Sequence, residues 1–140
     1  MRSVIGRLTR RPEFLRVANG RRKWVAPGLI LQALPRKPGG TGPDDAAVRV
    51  GFTVSRKVGK AVERNRVRRR LRAVAAEVMP ELGRPGYDYV LIGRAATLTR
   101  RYGGLIADLR TAMRRLGACR THEESEGRNA LGRSTGRATR

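Results

Sequence analysis

Residues 56–72 are the stretch that most constrains this chain, because nine of these seventeen residues are Arg or Lys and only one is acidic. Four apolar residues recur at helical spacing in and after this stretch: Val67, Leu71, Val74 and Val78. At 100° per residue they form a stripe about 60° wide, and Asn65 lies roughly 160° from Val67. The stretch therefore predicts a helix with a narrow apolar seam and an arginine-rich outer face.

The overall charge indicates a polyanionic partner. A formal net charge of +21 and a pI near 11.9 point to nucleic acid. A membrane is not expected as a partner, because no apolar run approaches the length of a membrane span and no helix opposes a large apolar face to its basic one. The first residues lack the apolar core of a signal peptide, and the single cysteine, Cys119, excludes an internal disulfide. We therefore expect a cytoplasmic protein.

The pattern along the chain predicts one α+β domain. The expected elements are a helix from Pro12 to Asn19, strands at 29–34, 48–54 and 87–93, a helix from about Gly59 to Met79 stopped by Pro80, and a last helix capped by Thr99 and running to Leu116. We expect a flexible basic arm at 1–6, a flexible loop at 35–46 and a disordered basic tail at 117–140, with the domain at 7–116.

A catalytic set is not evident in the sequence. Cys119 and His122 are only two candidate zinc ligands, which is too few for a structural site. Glu63 and Asp88 are too isolated to form a two-metal site, and Gly59 with Lys60 lacks the rest of a phosphate-binding loop. We therefore expect neither catalytic residues nor a protein metal site.

Two surfaces are candidates for RNA binding. The first is the basic helix, where phosphate contacts are expected from arginines around Asn65, whose amide suits a base edge or a 2′-hydroxyl. The second is a groove lined by Phe14, Ile30, Gln32 and Arg49, which suits extended single-stranded RNA. For Trp24, Tyr87 and Tyr89 we favour a role in the core. Arg100 and Arg101 oppose the dipole of the last helix, which favours a role in binding.

The segment from Arg49 to Arg69, with Arg64-Asn65-Arg66 at its centre, resembles the signature of the bacterial ribonuclease P protein component. The resemblance covers roughly residues 7–116. It implies a single-domain sandwich with the element order α-β-β-β-α-β-α and a left-handed β-α-β crossover, although such connections are nearly always right-handed. It also implies a subunit that binds the catalytic RNA of ribonuclease P, one protein per RNA, in an endoribonuclease that removes the 5′ leader from precursor tRNA.

The resemblance assigns the candidate residues to two RNA sites. The RNA subunit would be contacted by Arg64, Asn65, Arg66, Arg68, Arg69 and Arg72. The leader of the precursor tRNA would be contacted by Phe14, Ile30, Gln32, Arg49 and Lys57. Many relatives have aromatic residues where this chain has Ala18 and Gln32, so its leader contacts are expected to be more polar. In the family the chemistry depends on Mg²⁺ held mainly by the RNA.

The residues alone leave two other functions open. A ribosomal or other structural RNA-binding protein would use the same basic helix without any processing role. A self-sufficient metal nuclease is a more distant alternative, because the carboxylates that it needs are not gathered in the sequence.

Overall fold

The computed structural model describes residues 5–36 and 48–119 of the 140-residue chain. Five strands and four helices follow one another in this part: β1 (Ile5–Arg7), α1 (Arg11–Asn19), β2 (Lys23–Val25), β3 (Leu29–Pro35), β4 (Val48–Val54), α2 (Ala61–Leu82), β5 (Tyr87–Gly93), α3 (Ala95–Thr99) and α4 (Tyr102–Arg115). A single 3-10 turn, Arg56–Val58, joins β4 to α2.

The strands form one sheet in the order β1-β4-β5-β3-β2. β1, β4 and β5 are parallel, whereas β3 runs antiparallel to β5 and β2 antiparallel to β3. α2 connects the parallel neighbours β4 and β5, so the predicted β-α-β unit is present. The left-handedness of this crossover stays a prediction. The predicted α+β class is confirmed.

The main core lies between one face of the sheet and helices α2 and α4. The predicted seam of α2 is confirmed, because Val67, Leu71, Val74 and Val78 are all fully buried. β4 alternates as predicted, with Val48, Val50 and Val54 buried on this side. Tyr89 is buried in the same core, and Trp24 and Tyr87 pack against it.

A smaller cluster lies on the opposite face of the sheet, beneath α1. Leu8, Val17 and Val90 are buried there, and Phe14 and Ile92 pack against them partly exposed. α1 has only nine residues, so it covers part of this face and leaves the rest open.

The prediction that Pro80 stops α2 was wrong, since the helix runs through Pro80 to Leu82. Proline cannot donate the N–H that would bond the carbonyl of the residue four positions earlier, but a helix survives one such loss near its end. The N–H of Gly83 still donates to the carbonyl oxygen of Met79 at 2.8 Å. The last turn is therefore retained.

The prediction that Thr99 caps the last helix was also wrong. Thr99 is the final residue of the short helix α3, and α4 begins after Arg101. Thr97 instead caps the short helix α3, because its Oγ1 accepts the backbone N–H of Arg94 at 2.9 Å. A separate turn at Arg100 and Arg101 then starts α4.

The folded part extends beyond the predicted domain limits at both ends. Ile5–Arg7 pair with Val48–Val50, so the end of the expected arm is a strand. Ala118 is fully buried, and Cys119 forms a β-bridge with Gly83, so the expected tail begins inside the fold. The rest of the arm, most of the 35–46 loop, His122 and the remaining tail lie outside the described residues.

Across residues 5–36 and 48–119, every helix is too short or too polar to cross a lipid bilayer.

Candidate nucleic-acid interface

The outer face of α2 carries all six residues predicted for the first RNA site. Asn65, Arg66, Arg69 and Arg72 are exposed, and Arg64 and Arg68 are half-buried. Nη1 of Arg68 donates to Oδ1 of Asn65 at 3.2 Å, and Nη1 of Arg64 donates to the carbonyl of Gly59 at 3.3 Å. The side-chain amide of Asn65 is thus oriented by Arg68 and lies among the other arginines of this face.

The start of α2 explains why Glu63 does not pair with the arginines of this face. Oε1 of Glu63 accepts the N–H of Lys60 at 2.8 Å, so the first acidic side chain of the helix is turned back onto its own N-terminus. Gly59 allows this close approach, because a Cβ at this position would lie 2.3 Å from the same Oε1. The carboxylate satisfies the helix end and leaves the outer face to the arginines.

Arg70 differs from its basic neighbours. Its Nη2 donates to the carbonyl of Arg100, at the end of α3. Arg70 therefore ties α2 to the α3–α4 turn and belongs to the packing between helices.

The second predicted site lies on the sheet face that α1 partly covers. The strand register places three rows of side chains across this face: Arg49, Asp88 and Leu34 in the first, Gly51, Val90, Gln32 and Lys23 in the second, and Thr53, Ile92, Ile30 and Val25 in the third. The structure thus places Arg49, Gln32 and Ile30 on one face, in successive rows. At the far end of the third row, Val25 is 51% exposed, so this end of the face is open to solvent.

Phe14 borders this face from α1. Its ring lies over Gly51, where a Cβ would come within 2.5 Å of the ring, so the glycine makes room for the aromatic side chain. Phe14, Thr53 and Arg68 line one groove with a volume of about 410 Å³, together with Thr9, Arg11, Phe52 and Val54. This groove connects the α1 face of the sheet to the basic face of α2. The two predicted sites therefore adjoin.

Lys57 lies off the sheet. It is exposed in the 3-10 turn after β4, where the Ser55 hydroxyl accepts its backbone N–H at 3.0 Å. Its side chain is thus presented where the end of the sheet meets the start of α2.

A buried aspartate on β5 is the functional feature that sequence reasoning missed. Asp88 is fully buried and accepts hydrogen bonds from Arg16 at 2.9 Å, from Arg36 at 2.6 Å and from Arg49 at 2.8 Å. Burial alone would raise the pKa of the Asp88 carboxyl, but the hydrogen bonds from Arg49, Arg16 and Arg36 outweigh it and hold the pKa below the ordinary value. We call Asp88 and these three arginines the Asp88 cluster.

The Asp88 cluster changes the interpretation of Arg49. The Arg49 side chain lies on the predicted face, but its guanidinium is directed to Asp88 and, at 3.3 Å, to Glu13, leaving it 24% exposed. Backbone N–H groups of Arg10 and Thr9 also donate to Glu13 and lower the pKa of its carboxyl. Asp88 and Glu13, together with Arg16, Arg36 and Arg49, carry a net charge of +1. Arg49 contacts both acids.

The expectation that Arg100 serves binding was wrong, because its guanidinium forms an ion pair inside the fold. Its Nε and Nη2 donate to the carboxylate of Asp108 at 2.7 and 3.1 Å. The same carboxylate accepts the N–H of Gly28 at 2.8 Å. The pair therefore fixes the β2–β3 turn against α4, which outweighs the unfavourable helix dipole.

The carboxylates of the described residues already have protein partners. Besides Glu13, Glu63, Asp88 and Asp108, Glu77 accepts the Tyr102 hydroxyl at 2.5 Å and Glu81 lies 3.8 Å from Arg110. Within residues 5–36 and 48–119, no three acidic, His or Cys side chains approach closely enough to hold a metal ion. The arginines of the described residues suit anion binding, whereas their carboxylates, each with a protein partner, do not suit a Mg²⁺ ion held by the protein.

Comparison with known proteins identifies the family. The family model for Ribonuclease P matches residues 5–117. The ribonuclease P protein component of Paramagnetospirillum magneticum is 54% identical over 123 residues, covering 87% of this chain and 91% of that protein. The corresponding protein of Ruegeria pomeroyi is 49% identical over 117 residues, covering 83% and 90%.

Solved structures share the fold. The RNase P protein of Staphylococcus aureus superposes with a TM-score of 0.64 at 18% identity, covering 80% of this chain and 95% of that one. The RNase P protein of Thermotoga maritima superposes with a TM-score of 0.60 at 22% identity, covering 75% and 92%. With a family model that matches almost the entire described part and relatives near 50% identity, the chain belongs to the ribonuclease P protein family.

Proposed function

We propose that this chain is the protein subunit of ribonuclease P, acting in the cytoplasm with one protein per catalytic RNA. The observation that carries the proposal is the outer face of α2, where Asn65 stands exposed among arginines in a chain of this family. Arginine forks suit phosphates and stack on bases, and the amide suits a base edge or 2′-hydroxyl. The RNA subunit is bound through Arg64, Asn65, Arg66, Arg68, Arg69 and Arg72.

The 5′ leader of precursor tRNA is bound on the α1 face of the sheet. Phe14 supplies a ring at one border, Ile30 and Gln32 supply half-buried side chains on β3, and Lys57 supplies a cation where the sheet ends. Arg49 contributes positive charge at the end covered by α1, although its guanidinium already has protein partners in Asp88 and Glu13. This arrangement holds a single strand by stacking and by phosphate attraction, with little base selectivity.

The chemistry of leader removal is proposed to depend on Mg²⁺ held by the RNA subunit. The protein carboxylates are committed to arginines, helix ends and one hydroxyl, so the side chains described here position RNA and supply no metal ligands. The ion would activate the water that attacks the scissile phosphate and stabilise the leaving oxygen.

A cleavage assay with precursor tRNA and a bacterial ribonuclease P RNA at low Mg²⁺ tests the proposal. We expect the protein to stimulate cleavage only when the RNA subunit is present. Binding without stimulation would instead indicate a structural RNA-binding protein, and cleavage by the protein alone would indicate a metal nuclease. Either result would contradict the proposal.

A further inference from the structure

A second groove lies on the other side of Phe52, between the edge strand β1 and helix α2. It has a volume of about 320 Å³ and is lined by Ile5, Gly6, Arg7, Val50, Phe52, Arg72, Ala75, Ala76 and Pro80. The floor is apolar, and none of the described residues that line it is acidic. Ile5 at its mouth is 37% exposed, so the groove is open to solvent. We call it the Phe52 groove.

The Phe52 groove combines an aromatic ring with a cation. The Arg72 guanidinium carbon lies 6.0 Å from the centroid of the Phe52 ring, and Arg7 and Arg72 are both exposed at the rim. An apolar groove that is lined by an aromatic ring and two exposed arginines suits a nucleobase whose phosphate remains outside. An uncharged apolar ligand would gain nothing from the two cations.

One row of arginines on α2 leads into the Phe52 groove. Arg64, Arg68 and Arg72 are spaced by four residues, so they follow one side of the helix with a rise of about 6 Å per step. Arg68 lines the groove that contains Phe14, and Arg72 lines the Phe52 groove. A strand of RNA that follows this row therefore passes both aromatic side chains.

We propose that the Phe52 groove binds an unpaired nucleotide of RNA, with the base against the Phe52 ring and its phosphate on Arg72 and Arg7. This inference rests on the proposed RNA-binding function and deepens it. It gives the protein a stacking site on the α2 side of the sheet, opposite the face that carries Phe14.

The test uses the full chain with ¹³C-labelled alanine methyl groups, titrated with single-stranded oligoadenylate. Ala75 and Ala76 line the groove, whereas Ala73 is exposed on the same helix outside the groove lining. We expect the Ala75 and Ala76 methyl resonances to shift saturably under the adenine ring current, and the Ala73 resonance to stay in place. The side-chain amide of Asn65 reports binding at the outer face in the same titration.

Variants make the assignment specific. Phe52→Leu should raise the dissociation constant read from the Ala75 methyl by about tenfold, because a stacking surface is lost, while Phe52→Tyr should preserve it. Ala76→Gln narrows the groove from its exposed rim without changing charge or core packing, and it should also abolish the Ala75 shift. Ala73→Gln is the matched control and should leave binding unchanged.

The outcomes separate this inference from the proposed function. If the Asn65 amide shifts while Ala75 and Ala76 do not, the groove is not a nucleotide site and RNA binding by α2 still stands. If none of these resonances responds, both proposals fail. If Phe52→Leu binds as tightly as the parent chain, stacking on Phe52 is excluded.

Discussion

The Arg49 guanidinium donates two hydrogen bonds of 2.8 Å to the Asp88 carboxylate, from Nε to Oδ1 and from Nη2 to Oδ2. The same carboxylate accepts from Arg16 of α1 and from Arg36 at the end of β3. Three separate segments are thus attached at one point of the central strand. The ion pair with Arg16 helps to hold α1, and with it Phe14, against the sheet.

Replacing Asp88 with Asn should destabilise the protein strongly. The variant leaves three arginines around a buried neutral amide, and loss of one partner from a buried ion pair typically costs about 3–5 kcal/mol. Urea unfolding at neutral pH measures the loss. Glu81→Gln is the control, because its pair with Arg110 at 3.8 Å is exposed on both sides and should matter little. Equal effects of the two substitutions would contradict the importance of the Asp88 cluster.

Protonation of the Asp88 carboxyl should also lower the free energy of unfolding at acidic pH. Its pKa in the folded protein is lower than the ordinary value of 3.8, so it stabilises the fold fully above that value and loses its contribution as the pH falls through the folded pKa. The difference in unfolding free energy between the parent chain and Asp88→Asn should therefore be constant near neutrality and shrink below about pH 4. Urea titrations across that range measure it, and a difference that grows on acidification would show that the sign is wrong.

Replacing Arg66 with Ala should weaken binding to the RNA subunit and reduce its salt dependence. One lost phosphate contact lowers the slope of log affinity against log salt by about 0.7–0.9. Arg64→Ala should act in the same direction, with an added loss of the hydrogen bond to Gly59. Both should affect RNA-subunit binding more than leader binding. Arg114→Ala, on the exposed side of α4, is the charge-matched control. An unchanged slope for Arg66→Ala would exclude a phosphate contact.

Replacing Phe14 with Leu should weaken the binding of precursor tRNA by about tenfold and leave the binding of mature tRNA unchanged, because only the precursor has a leader to stack. Leucine retains apolar packing over Gly51. Affinities of the reconstituted holoenzyme for the two tRNAs measure the difference. Leu15→Ala removes an apolar side chain that is 47% exposed on the same helix and should have no such selective effect. A similar loss for both tRNAs would indicate damage to the fold instead.

Replacing Tyr89 with Phe should reduce stability by about 1–3 kcal/mol, the usual cost of leaving buried polar groups unpaired. The Tyr89 hydroxyl donates to the carbonyl of buried Ala118 and accepts the N–H of Arg84 at 2.9 Å. Thermal or urea unfolding measures the change. Tyr87→Phe, which keeps the ring stacked 5.8 Å from that of Tyr89, is the comparison. No difference between the two variants would mean that water replaces the lost hydroxyl.

Local periodicity made the central elements predictable. The seam of α2 persists over three helical turns, so no other secondary structure buries all of its members. β4 has an equally regular alternation, which correctly separated Arg49 from Val48 and Val50. Where several residues share one period, the sequence pattern and the fold agree.

The predictions that failed depended on single residues or on long-range strand pairing, and a local sequence pattern reveals neither. β1 has only three residues and exists because it pairs with β4, more than forty residues away, which no local pattern reveals. The start of α4 has no hydroxyl cap, because Thr99 ends α3 and Arg101 precedes α4, while Thr97 caps α3. The Asp88 cluster required the register between β4 and β5, so the strand assignments alone were insufficient.

The place of β5 in the sheet has a consequence for synthesis of the protein on the ribosome. β5 is the last of the five strands in the described residues, yet it separates β1 and β4 from β3 and β2. Until residue 93 has left the exit tunnel, the pair β1 and β4 cannot be joined to the pair β3 and β2. The apolar seam of α2 therefore lacks the complete sheet against which it is buried in the folded protein. Folding of the complete sheet therefore waits on the synthesis of β5.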